Sequence, residues 1–147
     1  IDFQPKSCFQ SEQEETIDLF VCGSHMSELP LNSQLTELGA KFLCSVETSP
    51  YYRMFILPPT ESLPIRPGLV RCSQETVSLP GELWRMPIKN FGAFMLKIRF
   101  PLGISQIKLK NGETEYGFCC DHSGVGNCKE ITHIGGWRKY LAEKSID

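Results

Sequence analysis

Four prolines fall within residues 58–68 (PPTESLPIRPG). Proline donates no backbone hydrogen bond and its ring blocks the helical register, so neither a helix nor a central strand fits there. The stretch has to be a loop that leaves any sheet, and the chain on either side of it reads as short pieces. Thr16–Cys22 (TIDLFVC) is a brief β-rich run ending at Gly23, the pattern of a buried strand. Residues 31–40 (LNSQLTELGA) predict a short helix with Asn32 as its cap, apolar Leu35 and Leu38, and Gly39 as the stop. Ala40–Thr48 and Tyr52–Leu57 follow as strands, and Leu69–Cys72 and Thr76–Met86 come after the proline loop. Pro87 is placed to open a helix, with Ile88, Phe91, Phe94, Met95 and Ile98 recurring at helical spacing. Asn111-Gly112, between SQIKLK and TEYGFCC, predicts a tight hairpin. Residues 130–144 read as a turn, a Gly135-Gly136 break and a closing helix. This order is α+β: a small curled mixed sheet or barrel with flanking helices. Residues 1–15, polar and without period, are expected to form a flexible tail or linker, leaving 16–147 as one domain.

The length of 147 residues suits a single core. Fifteen Lys+Arg against 17 Asp+Glu leave a net charge of −2, which argues against nucleic acid or an anionic membrane as the main partner. No apolar run approaches the ~20 residues of a membrane helix. No secretion signal opens the chain, and Ile1 in place of Met makes a fragment or trimmed product the expectation. The seven cysteines are an odd number scattered through apolar segments such as Phe20–Cys22 and Leu43–Cys44. They read as reduced core thiols in a reducing, cytoplasmic setting.

Gly23-Ser24-His25-Met26 directly follows the first strand. A Gly-rich turn at a strand's carboxyl end exposes backbone N–H groups as a small anion nest, and His25 there could exchange a proton near neutral pH. The plain alternative is a tight turn with a surface His. A cloning remnant can leave the same four residues, but a remnant opens a chain and this run follows a strand. Cys119, Cys120, His122, Cys128 and His133 imitate zinc spacing, yet the gap between the two ligand pairs is too short, and no metal is expected. Cys22 lies close to His25 in sequence, but a residue in LFVC most often points into the core. Arg53, Arg66 beside Pro67-Gly68, and Arg71 are candidate carboxylate clamps, because the guanidinium fork suits two oxygens at once. A solvent-facing edge-strand Arg is the equal alternative for each. Glu82, a lone acid in PGELWRM, either pairs with an Arg or is a site acid with a raised pKa. No G-x-S-x-G elbow, P-loop, dinucleotide fingerprint or H-E-x-x-H helix is present.

Taken together, LFVCGSHMSELPLNSQLTELGAKFL, YYRMFILP, RPGLVR, GELWRMP, FGAFMLKIRFPLGISQIKLKNGETEYGFCC and GNCKEITHIGGWRKYLAE resemble the C-terminal domain of allophanate hydrolase. The resemblance runs from Thr16 to Glu143, and a Gly-x-His-Met turn belongs to its pattern. It implies a γ-glutamyl cyclotransferase-like fold with a pocket at the Gly23–Met26 turn. It also implies a role in urea degradation, a decarboxylation-type step on the N-carboxycarbamate that an upstream amidase domain produces. His25 is carried over as proton donor or acceptor. Gly23, Ser24, Met26, Arg53, Arg66, Gly68 and Glu82 are the expected surroundings of a small anionic substrate, placed there from their chemistry and not by the resemblance, with no cofactor. The acidic turn that carries the cyclotransferases' catalytic Glu corresponds here to Lys97–Gly103, which has no acid, so γ-glutamyl chemistry is not expected. With no amidase domain and no Gly/Ser-rich amidase stretch, the chain is not expected to hydrolyse allophanate alone; a partner amidase domain or chain is implied. The alternatives are a non-catalytic scaffold or homodimerisation domain, or a free-standing relative with another substrate.

Overall fold

A computed structural model describes residues 15–146. Of the expected tail, only Glu15 falls among them, its carbonyl accepting from Ile88 N at 2.8 Å; residues 1–14 lie outside the described residues. Seven strands follow: β1 Thr16–Val21, β2 Lys41–Glu47, β3 Tyr52–Leu57, β4 Arg66–Arg71, β5 Pro80–Pro87, β6 Leu102–Lys108 and β7 Thr114–Cys120. Three α-helices accompany them: α1 Ser33–Thr36, α2 Phe91–Met95 and α3 Trp137–Ile146. No helix among the described residues is long and apolar enough to cross a membrane.

The main sheet has the order β2-β5-β1-β7-β6, and β3 and β4 form a separate antiparallel pair. β1 runs antiparallel to β5 and parallel to β7, so the sheet is mixed, as expected. Lying centrally between two partners, β1 buries Leu19, Phe20 and Val21 in succession, which is why its sequence is a continuous apolar run and not an alternating one. The Asn111-Gly112 hairpin is present: Leu109 N bonds Glu113 O at 2.8 Å and Gly112 takes φ +92°. Leu19, Phe20, Leu35, Met54, Phe94, Ile107 and Trp137 belong to one buried core cluster.

The sheet curls but does not close as a barrel. Its two edge strands meet at one corner, where Thr48 bridges Leu109 and Ser49 N bonds Lys108 O at 2.9 Å. Elsewhere β2 is not paired with β6, and its residues Lys41–Ser45 are exposed. Cys44 is therefore a surface thiol, contrary to its expected place in the core. Four element expectations also shift. The proline loop ends at Ile65, because Arg66, Pro67 and Gly68 already pair with Leu57, Ile56 and Phe55. Pro67 is tolerated within β4 because the pair has only two strands, so β4 has a free edge that needs no N–H. Pro87 ends β5, paired with Thr16, instead of opening a long helix; a 3₁₀ turn at Ile88–Asn90 and the five-residue α2 follow. Only Phe94 of that helix is buried, so there is no apolar stripe to prolong it. Residues 76–79 run irregularly before β5. Asn32 stands at the N-cap position before α1, as expected, but its side chain does not cap the helix.

Candidate functional site

The chain leaves β1 through a turn closed by Met26 N to Gly23 O at 3.0 Å and Leu31 N to Ser24 O at 2.9 Å. Gly23 has no room for a side chain: a Cβ there would stand 2.4 Å from the Pro67 ring on β4. This close approach sets the turn directly against the strand that carries Arg66. Gly23, Ser24, His25, Arg66 and Pro67, with Cys22, Leu69, Leu102 and Phe118, line a part-open cavity of about 30 Å³. That is room for about two waters or a single carboxylate.

His25 is held on every side. Its Nε2 lies 2.8 Å from Gln34 Oε1, and its carbonyl accepts from Asn32 Nδ2 at 2.8 Å. The ring stacks on Phe118, with centroids 4.8 Å apart, and meets Phe94 edge-on at 5.6 Å. Burial foremost, and the charge of Arg66, pull the imidazole below its ordinary 6.5 against the Gln34 hydrogen bond. The ring is therefore neutral at pH 7. Arg66 is only 7% exposed, and its Nε is buried without a hydrogen-bond partner. No carboxylate pairs with it among the described ion pairs. A buried guanidinium facing no anion is costly, and burial lowers its pKa accordingly.

The other expected residues stand elsewhere. Arg53 faces away from this cavity, on β3, with Nε donating to Glu130 Oε2 at 2.9 Å. That hydrogen bond is the main cause that holds Glu130 at about 2; burial opposes it and a hydrogen bond from Thr132 reinforces it. A depressed acid contributes stability that is complete above its ordinary 4.5 and is lost as pH falls toward 2. Wild type should therefore lose more Tm than Glu130→Gln between pH 5 and pH 3 in melts at both, by a few degrees only, since solvent screens this half-exposed pair. Equal losses would rule the pair out as a stabiliser. Arg71 donates through Nη2 to Tyr52 Oη at 3.3 Å, also away from the cavity. Gly68 packs on Cys120 and Leu57; a Cβ there would lie 3.1 Å from Cys120 Sγ.

Glu82 and Met26 lie behind the turn, on a second cavity of about 380 Å³ lined also by Glu47, Trp137, Arg138 and Lys139. Glu82 Oε1 accepts from Ser27 N at 2.9 Å, Ser27 Oγ at 3.0 Å and Trp84 Nε1 at 2.9 Å, and Oε2 meets Arg138 at 3.3 Å. Burial pushes this carboxyl up, but the hydrogen bonds outweigh it and hold it below the usual range. Glu82 is thus a paired anchor for the turn, not an acid with a raised pKa. This larger cavity is less suited to an anion than the smaller one, because Arg138 there already pairs with Glu82 and a second carboxylate, Glu47, also lines it. Among the described residues, no group of three or more His, Cys, Asp or Glu could hold a metal ion. Cys22 is buried and its thiol is pushed up to about 12, mainly by burial, so it is no nucleophile. Sequence reasoning missed Gln34, Phe94 and Phe118 as neighbours of His25. The only signal was that Gln34 follows His25 by nine residues, on the short helix that comes directly after the turn.

A family model, the allophanate hydrolase C-terminal domain, matches residues 17–142. The urea amidolyase of Lachancea kluyveri is 37% identical over 131 residues, 87% of this chain but 7% of that protein. The solved allophanate hydrolase of Kluyveromyces lactis superposes with a TM-score of 0.83 at 31% identity, over 88% of this chain and 22% of that one. The uropathogenic E. coli-specific protein c4763 gives a TM-score of 0.79 at 28% identity and is covered over 97% of its own length. A γ-glutamyl cyclotransferase, at 13% identity and a TM-score of 0.55, shares the fold alone. The chain therefore spans less than a tenth of the urea amidolyase it matches, and nearly all of at least one solved relative. It belongs to the allophanate hydrolase C-terminal domain family.

Proposed function

We propose that the Gly23–Met26 turn binds a small carboxylated-urea dianion, N-carboxycarbamate, and promotes its decarboxylation toward carbamate, with His25 as the acid/base. The observation that carries this reading is Arg66: a buried guanidinium without a carboxylate, lining one cavity with His25 and the Gly23–Ser24 backbone. One substrate carboxylate takes up the unmet charge of Arg66. Loss of CO₂ breaks a C–N bond and leaves its electron pair on nitrogen, which must receive a proton. His25 is neutral in the empty site and becomes protonated as the dianion arrives, because an anion offsets the two influences that hold its pKa down.

Malonate, a stable dicarboxylate, tests the binding step. Added to the protein, it should raise the pKa of His25 in an NMR titration while leaving His122 and His133 unmoved. Three histidines titrating alike, with and without malonate, would leave no anion site at this turn.

A second reading, a scaffold or dimerisation domain, is favoured by one exposed apolar knuckle. Leu96 is 75% and Phe100 73% exposed, beside Met95. It requires a mass that rises with concentration in sedimentation; a strict monomer rejects homodimerisation.

A further inference from the structure

We infer that Gln34 is a positioning residue: by holding Nε2–H of His25, it reserves Nδ1 as the nitrogen that exchanges the proton. The part played in chemistry rests on the function proposed above; the tautomer does not.

The geometry is specific. Gln34 Oε1, an acceptor, lies 2.8 Å from Nε2, so the neutral ring carries its hydrogen there. Asn32, two residues earlier, gives its side-chain amide to the His25 carbonyl, although its position would suit a helix cap. Two amides at the start of one four-residue helix thus fix one histidine, the first its backbone and the second its ring. Leu35, fully buried in the core, anchors that helix. A ring flip would give up the Gln34 bond and disturb the stack on Phe118 and the edge contact with Phe94. Around the ring, the charged group is Arg66 from β4; Cys22 at the end of β1 is protonated, and Phe94 of α2 and Phe118 of β7 carry no charge.

The choice of an amide over a carboxylate has a chemical meaning. A Glu at this position would pair with the imidazolium and keep it charged in the empty site. Gln fixes direction without fixing charge, so the proton is taken up only when an anion arrives. In the step itself, Nδ1–H gives its proton to the substrate nitrogen as the C–N bond breaks. The products are CO₂, carbamate and a neutral imidazole, which regains a proton from water.

Long-range ¹H–¹⁵N NMR of the ¹⁵N-labelled 147-residue chain reads the tautomer directly. Wild-type His25 above its pKa should show the Nε2–H form. Gln34→Leu should shift it toward a mixture, and Gln34→Glu should raise its midpoint above that of wild type. An Nδ1–H form in wild type overturns the inference, as does an unchanged tautomer in a folded Gln34→Leu. If the leucine variant fails to fold, the wild-type spectrum alone decides. On malonate addition, protonation should appear at Nδ1 of wild type while Nε2 stays hydrogen-bonded. A correct tautomer with no CO₂ release above the spontaneous rate would retain Gln34's hold on Nε2 and reject the decarboxylation reading.

Discussion

His25→Asn is expected to slow CO₂ release from N-carboxycarbamate by about 10²–10⁴-fold, the usual contribution of a positioned acid/base, while Tm falls by only a few degrees. Asn retains a polar group at the turn but does not titrate. Its loss of stability comes from the Phe118 stack and the Gln34 hydrogen bond, each worth on the order of 1 kcal/mol. The measurement is CO₂ evolution corrected for the spontaneous rate, beside a melt. Full turnover in the variant ends the mechanism. A pH series adds an independent sign. A histidine whose folded pKa is lowered binds fewer protons folded than unfolded, so its stabilising contribution is complete above 6.5 and is lost as pH falls through the lower folded value. Wild type should show that acid limb, and His25→Asn should not.

Arg66→Met is expected to weaken malonate binding by about 10–100-fold, the worth of a charge-assisted hydrogen bond to a carboxylate, with Tm unchanged or raised. Most buried-residue substitutions destabilise. This one should not, because it removes a largely buried guanidinium whose Nε has no partner and leaves an apolar side chain of similar length. Removing the cation should also raise the pKa of His25 in the empty site, since Arg66 is one of the influences lowering it. Calorimetry, a melt and the His25 titration read these three effects on one variant. Unchanged malonate affinity would take Arg66 out of the site. A large fall in Tm would make it a structural residue with an unrecognised partner.

The local features of this fold were legible in the residues. The Tyr52–Leu57 run is β3 to the residue, and Asn111-Gly112 makes its hairpin, because turn chemistry and strand patterning act over a few positions. The family resemblance extended that reading to the fold class and to the Gly23–Met26 turn. What could not be read was decided by contacts distant in sequence. Pro67 sits inside a strand because β4 lies at an edge, which topology settles and local pattern does not. Arg53 and Arg66 look alike in sequence, each beside apolar residues. One meets Glu130, 77 positions away, and the other meets no carboxylate. Glu82 is lowered instead of raised because Ser27 and Arg138, 55 and 56 positions away, join Trp84 of its own strand in bonding its carboxylate. Gln34 is one polar residue of the short helix, and nothing in a helical pattern says which side chain will reach back to a preceding turn.

The contact between Gly23 and the Pro67 ring makes the His25-to-Arg66 spacing a property of two residues at once. The turn carries one functional group and the strand the other, and the missing side chain of Gly23 is the slot in which the proline ring rests. Broadening the pocket for a longer diacid therefore calls for paired changes. Substituting Gly23 alone drives a carbon into Pro67, and replacing Pro67 alone leaves a hollow beneath the turn. A library that varies both positions together, keeping their combined volume, samples pocket widths that single-site libraries pass over.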